Sequence, residues 1–222
     1  MFRDAWLIAG KDLRLELRSR VGLNQVVPFA LLVLVLFAFA LDPDRVALQR
    51  VTPGLYWIAV LFTSLLTIQR AFAIEHADGV RDALRLSGLP PAAIFLGKVI
   101  AIGVQLLLLE LLLGFGVVVL YNATLGSLGL LALTALATTL CLAAAGSIYG
   151  LLSAGLRVKE TILPLLLLPI LAPVLIAATQ SFAAAMGGYP GEGWRWLGLL
   201  VVFGAAYLGL GLAVYDILME EA

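Results

Sequence analysis

Six apolar runs, each near or beyond the roughly 20 residues a helix needs to cross a bilayer, limit what this chain can become. They lie at about Val21–Leu41, Pro53–Ile74, Pro91–Tyr121, Leu125–Leu156, Thr161–Met186 and Trp194–Leu218. In hydrocarbon, every backbone N–H and C=O must find a partner inside the protein, so runs of this length are read as helices. A water-soluble alternative fails on composition. The chain is 63% hydrophobic and 13% charged, with mean hydropathy +1.08, whereas soluble domains are about 45–50% apolar and about 25% charged. The expected fold is an all-α integral membrane protein forming one transmembrane domain over residues 1–222. It has six transmembrane helices, an N-terminal amphipathic interfacial helix over 1–20 and a cytoplasmic helical loop over 75–90. The third and fourth runs are long enough to tilt or protrude, and a tight uncharged turn, Tyr121-Asn122-Ala123-Thr124, joins them. No internal repeat is evident, and no gap holds a soluble domain.

The polar interruptions carry the organisation. In residues 1–20, Phe2, Trp6, Ala9, Leu13 and Leu17 form one apolar stripe, with Arg3, Lys11, Arg14 and Arg18 opposite. That pattern predicts a helix lying flat in the interface with Trp6, Leu13 and Leu17 dipped among the headgroups. Ala38-Phe39-Ala40 has the form of a signal-peptidase site. The amphipathic leader before it is too long for a signal n-region, so the first run is read as an uncleaved span. The longest interruption is Glu75–Lys98, far more than a turn between spans requires. Within it Val80, Ala83, Leu84 and Leu89 fall roughly on one helical face and Asp78, Arg81, Asp82 and Arg85 elsewhere; Gly88 ends the helix and Pro90-Pro91 begin the next span.

The formal net charge is zero, but its distribution is lopsided. Arg3, Lys11, Arg14, Arg18, Arg20, Arg70, Arg81, Arg85, Lys98, Arg157 and Lys159 fall on one side of the predicted spans, against Arg45, Arg50 and Arg195 on the other. The positive-inside rule then predicts both termini and the long loop in the cytoplasm. Tyr56, Trp57, Tyr121, Tyr189, Trp194 and Trp196 are expected at the outer boundary, and Trp6 and Tyr215 at the inner one.

Few residues invite chemistry. One Cys (Cys141) and one His (His76) rule out a disulfide framework and a multi-ligand zinc site. Gly10-Lys11 and Gly97-Lys98 lack the remainder of a P-loop, so any nucleotide energy must come from another chain. Glu110 is the one acid deep within a predicted span. It is either a functional carboxylate or a hydrogen-bonded packing residue, with Gln105, Gln180 and Arg195 as candidate neighbours. His76 reads as a loop histidine rather than a haem ligand, and Cys141 as a packed thiol. Pro164, Pro169 and Pro173 predict a bent fifth span, either lining a path or flexing between states. Gly146-x-x-x-Gly150, with Ala143, Ser147 and Ala154, predicts close helix contact.

A flat amphipathic helix, six spans and a long first cytoplasmic loop resemble the membrane subunits of type-2 ABC exporters. The loop residues Glu75-x-x-Asp78-Gly79, Leu84, Ser87, Pro90 and Lys98 look like that family's coupling-helix pattern. Gly155-Leu156-Arg157, Leu168-Pro169 and Pro173-x-Leu175-Ile176 are similar to the haem exporter protein B family of the cytochrome c maturation system, and the resemblance covers essentially the whole chain. His76 after Glu75 and Gly88 before the proline pair depart from the pattern.

The resemblance implies a bacterial inner-membrane, multi-pass subunit whose Glu75, Asp78, Gly79, Val80, Leu84, Ser87 and Pro90 couple to a separate cytoplasmic ABC ATPase. It implies further partners: a second copy of the chain, a haem-handling membrane protein, a small membrane subunit and a periplasmic haem chaperone, but no nucleic acid. ATP would act through the partner and haem through the complex. No directly bound cofactor and no enzymatic activity are expected of this chain, and ATP hydrolysis would drive release of the haem-loaded chaperone. Two other readings remain open: a type-2 exporter permease for another lipid-like substrate, and a membrane scaffold without ATPase coupling. Glu110, Pro169 and Pro173 are the span candidates.

Overall fold

The computed structural model describes residues 1–19, 21–40, 45–77, 88–123, 125–154 and 159–221. Among them are seven helices and no strand: α1 (Phe2–Ser19), α2 (Val21–Ala40), α3 (Arg45–Ala77), α4 (Pro91–Tyr121), α5 (Leu128–Ala154), α6 (Lys159–Gly187) and α7 (Pro190–Glu221). Within α3 to α7, five segments are long and apolar enough to span a membrane: Ala47–Ala73, Pro91–Tyr121, Leu128–Leu152, Leu165–Gly187 and Pro190–Met219. In α2 the apolar stretch Val26–Ala40 is shorter.

The boundaries follow local chemistry. Gly88 has φ +68°, a left-handed turn that glycine adopts without a Cβ penalty. The Pro90 carbonyl accepts from the amides of Ala93 (2.8 Å) and Ile94 (3.2 Å), and Pro91 opens α4 where no amide donor is needed. Asn122, also left-handed at φ 50°, stops α4 where the sequence places its end. The turn after it is tied down by Ser127 N–H donating to the Ala185 carbonyl at 3.0 Å, so α5 starts at Leu128 and not at Leu125. Helix α3 begins at Arg45, about two turns ahead of the expected Pro53, which therefore lies inside the helix and removes one backbone amide donor from it.

Helices α5, α6 and α7 pack on one another; α4 lies against α1, α3 and α5, and α2 rests on α3 and α4. Gly146 and Gly150 have a definite partner. A Cβ on Gly146 would strike Ile68, and one on Gly150 would strike the Phe72 ring, so the small-residue face of α5 lets α3 approach closely. Phe95 of α4 meets Tyr215 of α7 with ring centroids 5.2 Å apart. The contacts of α1 with α4, Phe72 with Gly150, and Phe95 with Tyr215 bring both ends of the chain to one end of the bundle, called basal below.

Four of the aromatics expected at the boundaries pack inside the protein. Tyr56, Trp57, Tyr121 and Tyr215 are buried, whereas Tyr189 and Trp194 are exposed. Tyr56 stacks on Phe182 at 4.7 Å, and Trp57 meets the same ring edge-on at 5.9 Å. Composition alone cannot separate a belt aromatic from a core aromatic when both sit near a span end. Here the neighbouring span supplies a ring partner, and packing wins.

Candidate functional site

At the basal end, a group of charged side chains joins three helices. Lys98, seven residues into α4, is 2% exposed. Its Nζ lies 3.1 Å from Asp12 Oδ2 of α1, while Lys11 Nζ lies 2.8 Å from Asp12 Oδ1. One helical turn further along α1, Glu16 Oε2 lies 3.4 Å from Arg70 Nε of α3. The Lys98 ammonium also sits 5.3 Å from the centroid of the Phe72 ring, the ring that covers Gly150. Close approach makes this possible: a Cβ on Gly97 would lie 2.7 Å from Ile8 Cβ and 2.9 Å from the Ala5 carbonyl oxygen. Helix α1 is thus fastened to the last turns of α3 and the first turns of α4, the two elements that flank residues 78–87.

The fastening divides α1 into three faces. Ala5, Ile8 and Ala9 are buried, and Asp12 and Glu16 lie along the same side. Next to them runs the exposed apolar stripe, with Phe2 at 80%, Trp6 at 69% and Leu17 at 68% exposure and Leu13 half-buried. Arg3, Arg14 and Arg18 are exposed beyond it. The stripe expected from the sequence is therefore present and uncovered by protein. The sequence reading missed the third, acidic side, although Asp12 and Glu16 at a spacing of four share a face and signal it.

The second polar centre is higher in the bundle. Glu110 is 4% exposed, and Thr139 of α5 donates to its Oε1 at 2.6 Å. The Tyr56 hydroxyl donates to the Glu110 backbone carbonyl at 3.1 Å, and Oε2 has no hydrogen-bond partner among the described residues. Gln180 and Arg195, expected as candidate neighbours, are exposed. The carboxylate's partner comes instead from α5, since a buried polar group must be hydrogen-bonded inside the core, while Tyr56 of α3 serves the backbone carbonyl.

Of the expected coupling residues, Asp78, Gly79, Val80, Leu84 and Ser87 lie outside the described residues. Glu75 and His76 fall within the last turn of α3, and Pro90 is exposed at the head of α4. In α6, Pro169 is exposed and Pro173 half-buried; the Tyr207 hydroxyl donates to the Ile170 carbonyl at 2.9 Å, three residues before Pro173. Cys141 is buried and free, with its thiol 3.4 Å from the Leu200 carbonyl. Among the described residues no group of three or more His, Cys, Asp or Glu side chains could hold a metal ion.

Long apolar helices, an uncovered amphipathic helix and a basal charge cluster define a multi-pass, all-helical membrane protein. The family model described as CcmB protein matches residues 3–214. Several curated proteins named "Heme exporter protein B" are similar to the chain. That of Bradyrhizobium diazoefficiens is 35% identical over 182 residues, covering 80% of each chain. That of Haemophilus influenzae is 32% identical over 210 residues, 91% of this chain and 89% of its own length. That of Escherichia coli K12 is 33% identical over 221 residues, covering 92% and 90%. The chain belongs to the CcmB protein family.

Proposed function

We propose that this chain is the membrane-spanning subunit of an ABC-type haem exporter of the bacterial inner membrane, with six spans and both termini cytoplasmic. Residues 75–90 receive the stroke of a separate ATPase subunit, because the chain carries no nucleotide-binding motif of its own. Two copies work with that ATPase, a haem-handling membrane protein and a small membrane subunit. The cycle ends in release of a haem-loaded periplasmic chaperone, as cytochrome c assembly requires. Haem is the cargo of the complex and not a resident cofactor of this chain.

The observation that carries the reading is the basal fastening. Asp12–Lys98 and Glu16–Arg70 tie α1 to the two helix ends that bracket residues 78–87. A segment that must pass on a push needs stiff, anchored flanks, since a charge pair out of water holds its geometry far better than one on the surface. The similarity to proteins named heme exporter protein B supports the cargo.

Co-purification tests the reading. Leu84→Asp and Asp78→Lys should abolish recovery of the ATPase subunit with this chain while leaving membrane insertion intact. Full recovery with both variants would remove the basis for the assignment.

A further inference from the structure

Helix α1 carries acids and bases in mixture along its sequence, but the fold sorts them. Asp12 is taken up by Lys98 and Lys11, Glu16 by Arg70, and Asp4 by the terminal ammonium at 2.9 Å. Arg3, Arg14 and Arg18 are exposed and make no ion pair among the described residues. The outward surface of α1 is thus positive, although the helix holds both signs. It lies beside the uncovered apolar row of Phe2, Trp6 and Leu17.

We propose that this face is a binding surface for anionic phospholipid headgroups of the leaflet at the basal end, with Arg14 and Arg18 as its centre. Arg14 and Arg18 are four residues apart, so their guanidinium groups stand on one side of the helix, within reach of the same phosphate. The apolar row takes up the upper part of the acyl chains, and the arginine row meets the headgroups at the depth this sets. Charge complementarity selects the occupant. A protein partner would need acidic groups matched to these positions, whereas an anionic leaflet presents phosphates at every one. The buried pairs add rigidity: α1 cannot roll its acids outward without breaking Asp12–Lys98 and Glu16–Arg70. The inference does not depend on what the complex transports.

The test uses the whole chain, with Trp194→Phe and Trp196→Phe so that Trp6 is the one exposed indole, Trp57 being buried. The protein is reconstituted in equal mixtures of phosphatidylcholine and phosphatidylglycerol. One or the other lipid is brominated high on its acyl chains, and quenching of Trp6 gives the relative association constant. An arginine near an anionic surface contributes about fivefold, so Arg14 and Arg18 together should favour phosphatidylglycerol about twenty-five-fold. Arg14→Gln/Arg18→Gln should bring the ratio close to one, and Arg14→Lys/Arg18→Lys should keep most of it. Equal quenching by both lipids in the protein with its arginines intact would overturn the proposal. So would a Trp6 quenched by neither lipid once the ATPase subunit is bound, since that face would then be covered by protein. Should the glutamine variant fail to fold, the lipid-swap comparison still decides.

Discussion

Removing one partner of the Asp12–Lys98 pair should release α1 from the bundle. At 3.1 Å and an effective dielectric of about 20, the attraction between two unit charges is about 5 kcal/mol. Breaking a buried pair by truncating one partner costs about 3–5 kcal/mol, because the remaining charge loses its counter-ion without regaining water. An exposed pair would lose under about 1 kcal/mol. Lys98 is 2% exposed and Asp12 13%, which puts the pair in the first class. Asp12→Leu is the sharper variant, because it takes the carboxylate away from the deeply buried Lys98 ammonium, whereas Lys98→Met leaves Asp12 with Lys11 and should cost less.

Global unfolding is the wrong assay, because α1 can detach while the spans stay packed. Ile8→Cys reports detachment directly, since Ile8 is buried against Gly97 and a maleimide reaches it only when α1 lifts. The native Cys141 is fully buried in the bundle and serves as the internal control. With opening fast relative to labelling, a loss of about 3–5 kcal/mol raises the labelling rate by about two hundred to several thousand-fold. Lys98→Met combined with Asp12→Leu replaces the pair by apolar side chains and should recover to within about tenfold of the parent, as buried pairs exchanged for packed hydrophobes often do. Asp12→Leu labelling less than about fivefold faster than the parent would refute the reasoning. So would a double variant that labels faster than either single one.

Two further outcomes test the packing. Gly150→Leu would drive a side chain into Phe72 and should lower stability by about 1–3 kcal/mol, read as a drop in thermal midpoint in detergent, whereas Gly198→Leu, with open space around it, should change little. Thr139→Val strips Glu110 Oε1 of its donor and should cost about 1–3 kcal/mol, while Glu110→Gln keeps an acceptor for Thr139 and should stay within about 1 kcal/mol; equal losses for the two would show that the hydrogen bond is not what holds Glu110.

The sequence made the long helices legible because bilayer length and backbone satisfaction leave few choices: the span Pro91–Tyr121 matches α4 at both ends. It made the apolar stripe of α1 legible through its helical period. It did not reveal which side of α1 faces protein, because an acid that pairs with a buried lysine from another helix has the same local pattern as an acid in water. Lys98 looked like a loop-end residue and is a core residue. Glu110 stood out as an intramembrane acid, but its partner Thr139 did not, since threonine is common in membrane spans and bonds its own backbone as readily, as Thr63 and Thr67 do here. Pairings across helices depend on rotation about each helix axis, and one sequence with six similar apolar runs fixes those rotations only loosely.

Those pairings also decide how α4 would act in the proposed cycle. It is 31 residues long, about 46 Å of rigid rod, and it is tied at three heights. Lys98 holds it to α1 near the basal end, and Glu110 holds it to Thr139 of α5 and Tyr56 of α3 further along. At the far end the Tyr121 hydroxyl donates to the Leu34 carbonyl of α2 at 2.9 Å. In the proposed cycle, a rod held at its base by ion pairs and near its middle by hydrogen bonds would pass a push at Pro90 to its far end as one piece. On this geometry the moving parts at the far end are Tyr121 and the α2 backbone it grips. Loss of the Tyr121 hydroxyl should therefore uncouple α2 from α4 while leaving the basal pairs in place.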